Sequence, residues 1–145
     1  MQLPAMPPAV QAVYDGCTSP VRQGLAQLRH LVFAQAERMP HIGPLTEALR
    51  WGEPAFLTPQ TGAACSLRIG PVRAGGFGLF VHCKSGLIEG FRAGPGAGLR
   101  FSGTRAVLFD SVADIDPAQI SLLIGQALGF HLAKKLRKPD AVPGG

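Results

Sequence analysis

The chain has 145 residues, 46% of them hydrophobic, and a formal net charge of +5. This length predicts one domain whose core is large enough to fold without disulfides or metal ions. Three cysteines without a CxxC spacing argue against a disulfide framework and against a zinc site. No apolar run reaches the roughly 20 residues that span a bilayer. The first residues also lack the basic segment of a signal peptide, so we expect a cytoplasmic protein.

The first predicted helix follows a segment, residues 1–17, whose Pro and Ala content predicts only partial order. Thr18 or Ser19 is suited to cap the helix, with Pro20 in its first turn. Apolar residues then recur at helical spacing as far as Pro40, which ends the helix; they are Val21, Leu25, Leu28, Val32 and Ala36. This spacing predicts an amphipathic helix that buries one face.

Several short strands are predicted in the middle of the chain. Residues 46–49 fit the last turn of a helix, whereas the segment from Arg50 onward is predicted to be extended because Glu53 precedes Pro54. That proline predicts an edge strand or a bulge. Further strands are expected at 63–69, 77–84 and 104–110, with a loop at 85–98 that has room for one helical turn.

The last predicted helix begins at Asp116-Pro117, a cap followed by proline. Its buried stripe comprises Ile120, Leu123, Ile124, Ala127, Leu128 and His131. Residues 18–138 are therefore expected to form one α+β domain, followed by a flexible tail at 139–145. We predict two layers, with the N- and C-terminal helices packed on one face of an antiparallel β-sheet and the other face partly open.

Motifs of known catalytic and cofactor sites do not occur in the sequence. It contains no P-loop, no GxSxG and no HExxH, and its four histidines share no ligand spacing. We therefore assign no catalytic residue, no metal site and no cofactor. The arginines are scattered, and the dense run Lys134, Lys135, Arg137 and Lys138 complements a helix dipole, which argues against nucleic-acid binding.

Strand alternation predicts a candidate binding surface on the open face of the sheet. It places Leu79, Val81, Ala106 and Leu108 under the helices and Phe109 on the opposite face. The candidate ligand-binding residues on that face, with Arg92 folding back from the following loop, are Trp51, Glu53, Phe80, His82, Lys84, Arg92 and Arg105. Among them Lys84, Arg92 and Arg105 are expected to hold an anion, and Trp51 is expected to be largely buried. The alternative is a structural role, in which loops cover this face and Glu53 pairs with Arg105 or Lys84.

The segments Glu47–Phe56, Phe80–Leu87, Phe91-Arg92 and Gly103–Phe109 resemble the YdhG-like family, a bacterial domain of unknown function. The resemblance covers roughly residues 20–135, and WGEPAF is its most specific block. It implies a frataxin-like fold, and one branch of the family implies an iron chaperone. Iron binding of that type uses carboxylates on the first helix, but residues 1–40 contain only Asp15 and Glu37.

Three hypotheses follow for the function. The first is a non-enzymatic domain whose open sheet face binds a small anionic ligand or a partner protein, including a second copy in a homodimer. The second is an intracellular iron chaperone of the frataxin type. The third is a small enzyme that uses Glu53 and His82 as acid and base, which would require a deep pocket that joins these two residues.

Overall fold

The computed structural model describes residues 2–137 and confirms the α+β fold class. Six antiparallel strands form one sheet in the order β1-β2-β3-β4-β6-β5. The strands are β1 Thr46–Arg50, β2 Glu53–Leu57, β3 Leu67–Pro71, β4 Phe77–Val81, β5 Arg100–Ser102 and β6 Ala106–Phe109. The α-helices are α1 Pro8–Asp15, α2 Ser19–Glu37, α3 Leu87–Ala93, α4 Pro117–Leu128 and α5 Phe130–Arg137. No helix of residues 2–137 is both long and apolar enough to cross a bilayer.

Helices α2 and α4 pack on each other and on the centre of the sheet, as their apolar spacing predicts. Helix α2 follows Thr18, and the Asp116 carboxylate caps α4 by accepting the Gln119 backbone N–H at 3.2 Å. The two helices bury Leu25, Leu28, Leu31 and Val32 on α2 and Ile120, Leu123, Ile124, Ala127 and Leu128 on α4. Helix α2 packs closely on the sheet at Gly24, which lies against Phe77 of β4.

Two helix predictions differ from the structure. Residues 8–15, expected to be only partly ordered, form α1, whose Val10 and Tyr14 are buried. The C-terminal helix is interrupted at Gly129, so that α5 starts a new helix and His131 is exposed rather than part of the buried stripe. The predicted tail at 139–145, and Lys138 of the basic run, lie outside the described residues.

The first hairpin corrects the prediction for residues 46–54. Residues 46–49 are a strand, and Arg50 pairs with Glu53 around the two-residue turn Trp51-Gly52. Trp51 has φ 52° and Gly52 has φ 78°, the two positive values of a type I′ hairpin turn. Pro54 lies in β2, which is an interior strand, but the ladder from β2 to β3 includes only Ala55 and Phe56. The missing N–H of Pro54 therefore removes no bond of that ladder.

The side chains of β6 lie on the opposite faces of the sheet from those predicted. Phe109 pairs with Phe77, and Val107 pairs with Leu79, so these four side chains share the helix-covered face. Phe109 is 1% exposed and stacks on Phe77 at 5.3 Å between ring centroids. Ala106 and Leu108 lie on the other face. All residues of 106–109 are apolar, so alternation offered no way to distinguish the two faces, and pairing with β4 decided it.

Candidate functional site

The open face of the sheet is organised around Arg68, which lies on β3 beside Phe80 of β4. The guanidinium carbon of Arg68 lies 5.0 Å from the Trp51 ring centroid and 5.8 Å from the Phe80 centroid. Its Nη1 donates to Glu53 Oε1 at 2.5 Å, and its Nε donates to Ser66 Oγ at 3.1 Å. Arg68 is thus held by a carboxylate, a hydroxyl and two aromatic rings. We call Trp51, Glu53, Arg68 and Phe80 the Arg68 cluster.

Trp51 is 79% exposed, which contradicts the expectation that it is largely buried. It occupies the tip of the β1–β2 turn instead of a position along a strand, so its ring is outside the core. The indole rests on the Arg68 guanidinium, a cation–π contact that orients it. The result is a large aromatic surface that rests on Arg68 and is available to a ligand.

A shallow depression of about 330 Å³ adjoins the Arg68 cluster. Its lining residues, which we call the open-face site, are Trp51, Ser66, Arg68, Val81, His82 and Arg105. His82 Nδ1 accepts the Lys84 backbone N–H at 3.0 Å, so the neutral imidazole carries its proton on Nε2 and can donate it. Arg105 is exposed and forms no ion pair with any residue of 2–137.

The open-face site contains two arginines, of which Arg68 is paired with a carboxylate and Arg105 is not. Glu53 compensates Arg68, and not Arg105 or Lys84 as the structural alternative expected. Arg105 therefore supplies a positive charge that no acidic group of residues 2–137 compensates. Guanidinium groups bind carboxylate or phosphate oxygens through two parallel hydrogen bonds, so the site is suited to an anion.

Arg92 does not line this depression. Its Nη2 donates to the backbone carbonyl of Gly103, and its guanidinium lies 4.7 Å from the Phe101 ring centroid. Lys84 lines a neighbouring pocket, which shares His82 and Ser66 with the open-face site. Of the three cations expected to hold an anion together, the structure brings only Arg105 to the depression.

Arg68 is not among the candidate site residues predicted from the sequence, although strand alternation indicates its position. In the predicted strand 63–69 it stands between Leu67 and Ile69, both of which are fully buried under the helices. Alternation alone therefore places Arg68 on the open face, where it is an available partner for Glu53. The two residues are 15 positions apart, so only the adjacency of β2 and β3 shows that they meet.

Several other ionisable groups have structural roles. Glu47 accepts from Nε and Nη2 of Arg29, each at 2.7 Å, and this hydrogen bonding raises the pKa of the buried guanidinium. Asp110 pairs with Arg100 on the surface. Burial raises the pKa of the Cys65 thiol from its ordinary 9.0 to about 11, which makes it a poor nucleophile at neutral pH. Among the side chains that the structure describes, which do not include that of Cys83, no three His, Cys, Asp or Glu residues are grouped so that they could hold a metal ion.

No family model matches the chain, and neither curated proteins nor solved structures are significantly similar to it. Its membership of the YdhG-like family stays a prediction. We therefore infer the function from the chemistry of the open face, where the indole of Trp51, the guanidinium of Arg105 and the imidazole of His82 line one depression.

Proposed function

We propose that this protein is a non-enzymatic binding domain whose open-face site holds a small anionic ligand that contains a planar group. The observation that carries the proposal is the exposed indole of Trp51, which contacts Arg68 and lines the same depression as Arg105. The indole offers a stacking surface and Arg105 offers a charged hydrogen-bond donor.

The Arg68 cluster supports this proposal because it is preorganised. Arg68 is held by Glu53 and Ser66 before any ligand arrives, and the Trp51 indole contacts its guanidinium, so Arg68 loses little side-chain freedom when a ring stacks on Trp51. Stacking of a planar group on an aromatic side chain contributes about 1–3 kcal/mol. Arg105 adds charge-assisted hydrogen bonds, which are about twice as strong as neutral ones.

The two alternatives are less consistent with the arrangement of the carboxylates. An iron chaperone of the frataxin type requires clustered oxygen ligands, but Glu47, Glu53 and Asp110 are each engaged by an arginine. An acid–base enzyme would require Glu53 and His82 to face one substrate. Glu53 is bound to Arg68, and it is not among the residues that line the depression with His82.

The proposal can be tested by NMR with benzoate, a planar anion, and benzamide, its neutral isostere. Trp51 is the only tryptophan, so its indole N–H gives one unambiguous cross-peak. Benzoate should shift this peak and the backbone amides of Ser66, His82 and Arg105, with a dissociation constant on the order of millimolar. Benzamide should cause clearly smaller shifts, because it lacks the charge that Arg105 compensates.

A matched pair of variants identifies the guanidinium responsible. Arg105→Gln should abolish most of the response to benzoate. Arg73→Gln removes another exposed arginine, from the turn between β3 and β4 and outside the depression, and should leave the response unchanged. Equal shifts with benzoate and benzamide, or equal losses in both variants, would contradict the proposal.

A further inference from the structure

A second pocket of about 240 Å³ adjoins the open-face site and shares Ser66 and His82 with it. It lies between the end of β4, the turn that follows it, and α5. We call it the basic pocket; its polar lining residues are Ser66, His82, Lys84, Ser85, His131 and Lys134. A ligand that lies over Trp51 and His82 can therefore continue into this pocket.

The basic pocket is lined by hydrogen-bond donors and cations, and no carboxylate belongs to its lining. Across residues 2–137, neither Lys84 nor Lys134 forms an ion pair. Ser85 Oγ accepts the Leu87 backbone N–H at 3.1 Å, which leaves its hydroxyl hydrogen free to donate. His82 likewise has its Nε2 proton free, since Nδ1 is already an acceptor. These groups together are suited to a partner that accepts several hydrogen bonds and carries more than one negative charge.

We infer that the ligand of the open-face site bears a phosphate chain, which occupies the basic pocket while the planar part of the ligand stacks on Trp51. A phosphate monoester carries a charge of about −1.5 to −2 at neutral pH and has three acceptor oxygens. With Arg105, the two sites present three positive charges that no carboxylate of residues 2–137 pairs, which suits a di- or triphosphate. The ligand class is therefore a nucleoside phosphate. This inference rests on the proposed function, since it extends the same binding site.

Trp51 fluorescence tests the inference with ATP as the probe and adenosine as its uncharged counterpart. ATP should quench the single tryptophan and bind at least about tenfold more tightly than adenosine, a difference of about 1.4 kcal/mol. Inorganic triphosphate should compete with ATP, since it occupies the basic pocket alone. The double variant Lys84→Gln/Lys134→Gln should weaken ATP binding about tenfold or more and leave the response to adenosine unchanged.

Lys135→Gln is the matched control. Lys135 follows Lys134 on α5 but lines a different groove, with His41 and Leu136. It should bind ATP as the wild type does, and an equal loss in this variant would overturn the inference by showing general charge attraction. Wild-type affinity in the double variant would also overturn it, and the proposed function would still stand if Arg105→Gln abolishes the benzoate response. A single-stranded oligonucleotide that binds more than tenfold tighter than ATP would overturn the inference that the ligand is a small nucleoside phosphate.

Discussion

Gly24 lies where α2 packs on β4, and a methyl group at this position has no room. A Cβ at position 24 would lie 2.0 Å from Cζ of Phe77, about 1.4 Å inside the distance of 3.4 Å at which ordinary contact begins. Phe77 is fully buried and stacked on Phe109, so its ring cannot turn into solvent. Gly24→Ala must therefore move α2 away from the sheet or force the Phe77 ring from its rotamer.

Two opposing effects decide how much Gly24→Ala changes the free energy of unfolding. Replacing glycine by alanine inside a helix stabilises it by about 1 kcal/mol. Overpacking a core costs about 1–3 kcal/mol, and so large an overlap places Gly24→Ala at the upper end of that range. The net loss should be about 2 kcal/mol, which lowers Tm by about 4–8 °C for a domain of this size.

Thermal melts followed by circular dichroism test this, with Gly90→Ala as the control. Gly90 lies at the centre of α3, and apart from the neighbouring backbone of its own helix nothing is within 4 Å of a Cβ added there. This variant isolates the helix-propensity effect and should raise Tm by about 2–4 °C. A Gly24→Ala protein that melts at or above the wild-type temperature would refute the close packing of α2 on Phe77.

Further predictions concern the exposed tryptophan, the ion pairs and the buried thiol. Trp51→Ala should lower the free energy of unfolding by no more than about 1 kcal/mol in chemical denaturation, because only an exposed cation–π contact is lost; a loss of about 3–5 kcal/mol would indicate a buried ring. Glu47→Gln leaves the Arg29 charge buried and should cost about 3–5 kcal/mol. Asp110→Asn, in a pair whose side chains are 53% and 69% exposed and screened by solvent, should cost much less, and equal losses would contradict the difference in burial. Cys65 ionises at its ordinary pKa of 9.0 when unfolded but near 11 when folded. The unfolded state therefore binds fewer protons between these pH values, and stability should fall as pH rises, by at most about 1.4 kcal/mol per pH unit from this thiol. Urea titrations at pH 9 and 11 should show a smaller fall in Cys65→Ala, and an identical fall would contradict burial of the thiol.

The sequence by itself determined the fold class, because its strongest signals are local. The apolar spacing of α2 and the Asp116-Pro117 start of α4 depend on residues one to four positions apart, which are also neighbours in a helix. The alternation around Phe80 likewise placed this ring on the open face, since period two belongs to any strand.

Only the tertiary structure decided which faces the β6 side chains occupy, whether Trp51 is exposed and which residue pairs with Glu53. These features depend on which segments of the chain become neighbours. Phe109 is buried because β6 pairs with β4 in a register that its four apolar residues do not encode. Trp51 is exposed because Arg50 and Glu53 close a hairpin around it, whereas a large aromatic side chain by itself favours burial. The ion-pair partner of Glu53 was decided in the same way, by the adjacency of β2 with β3, and the pocket that Lys84 lines by the approach of α5 to the end of β4.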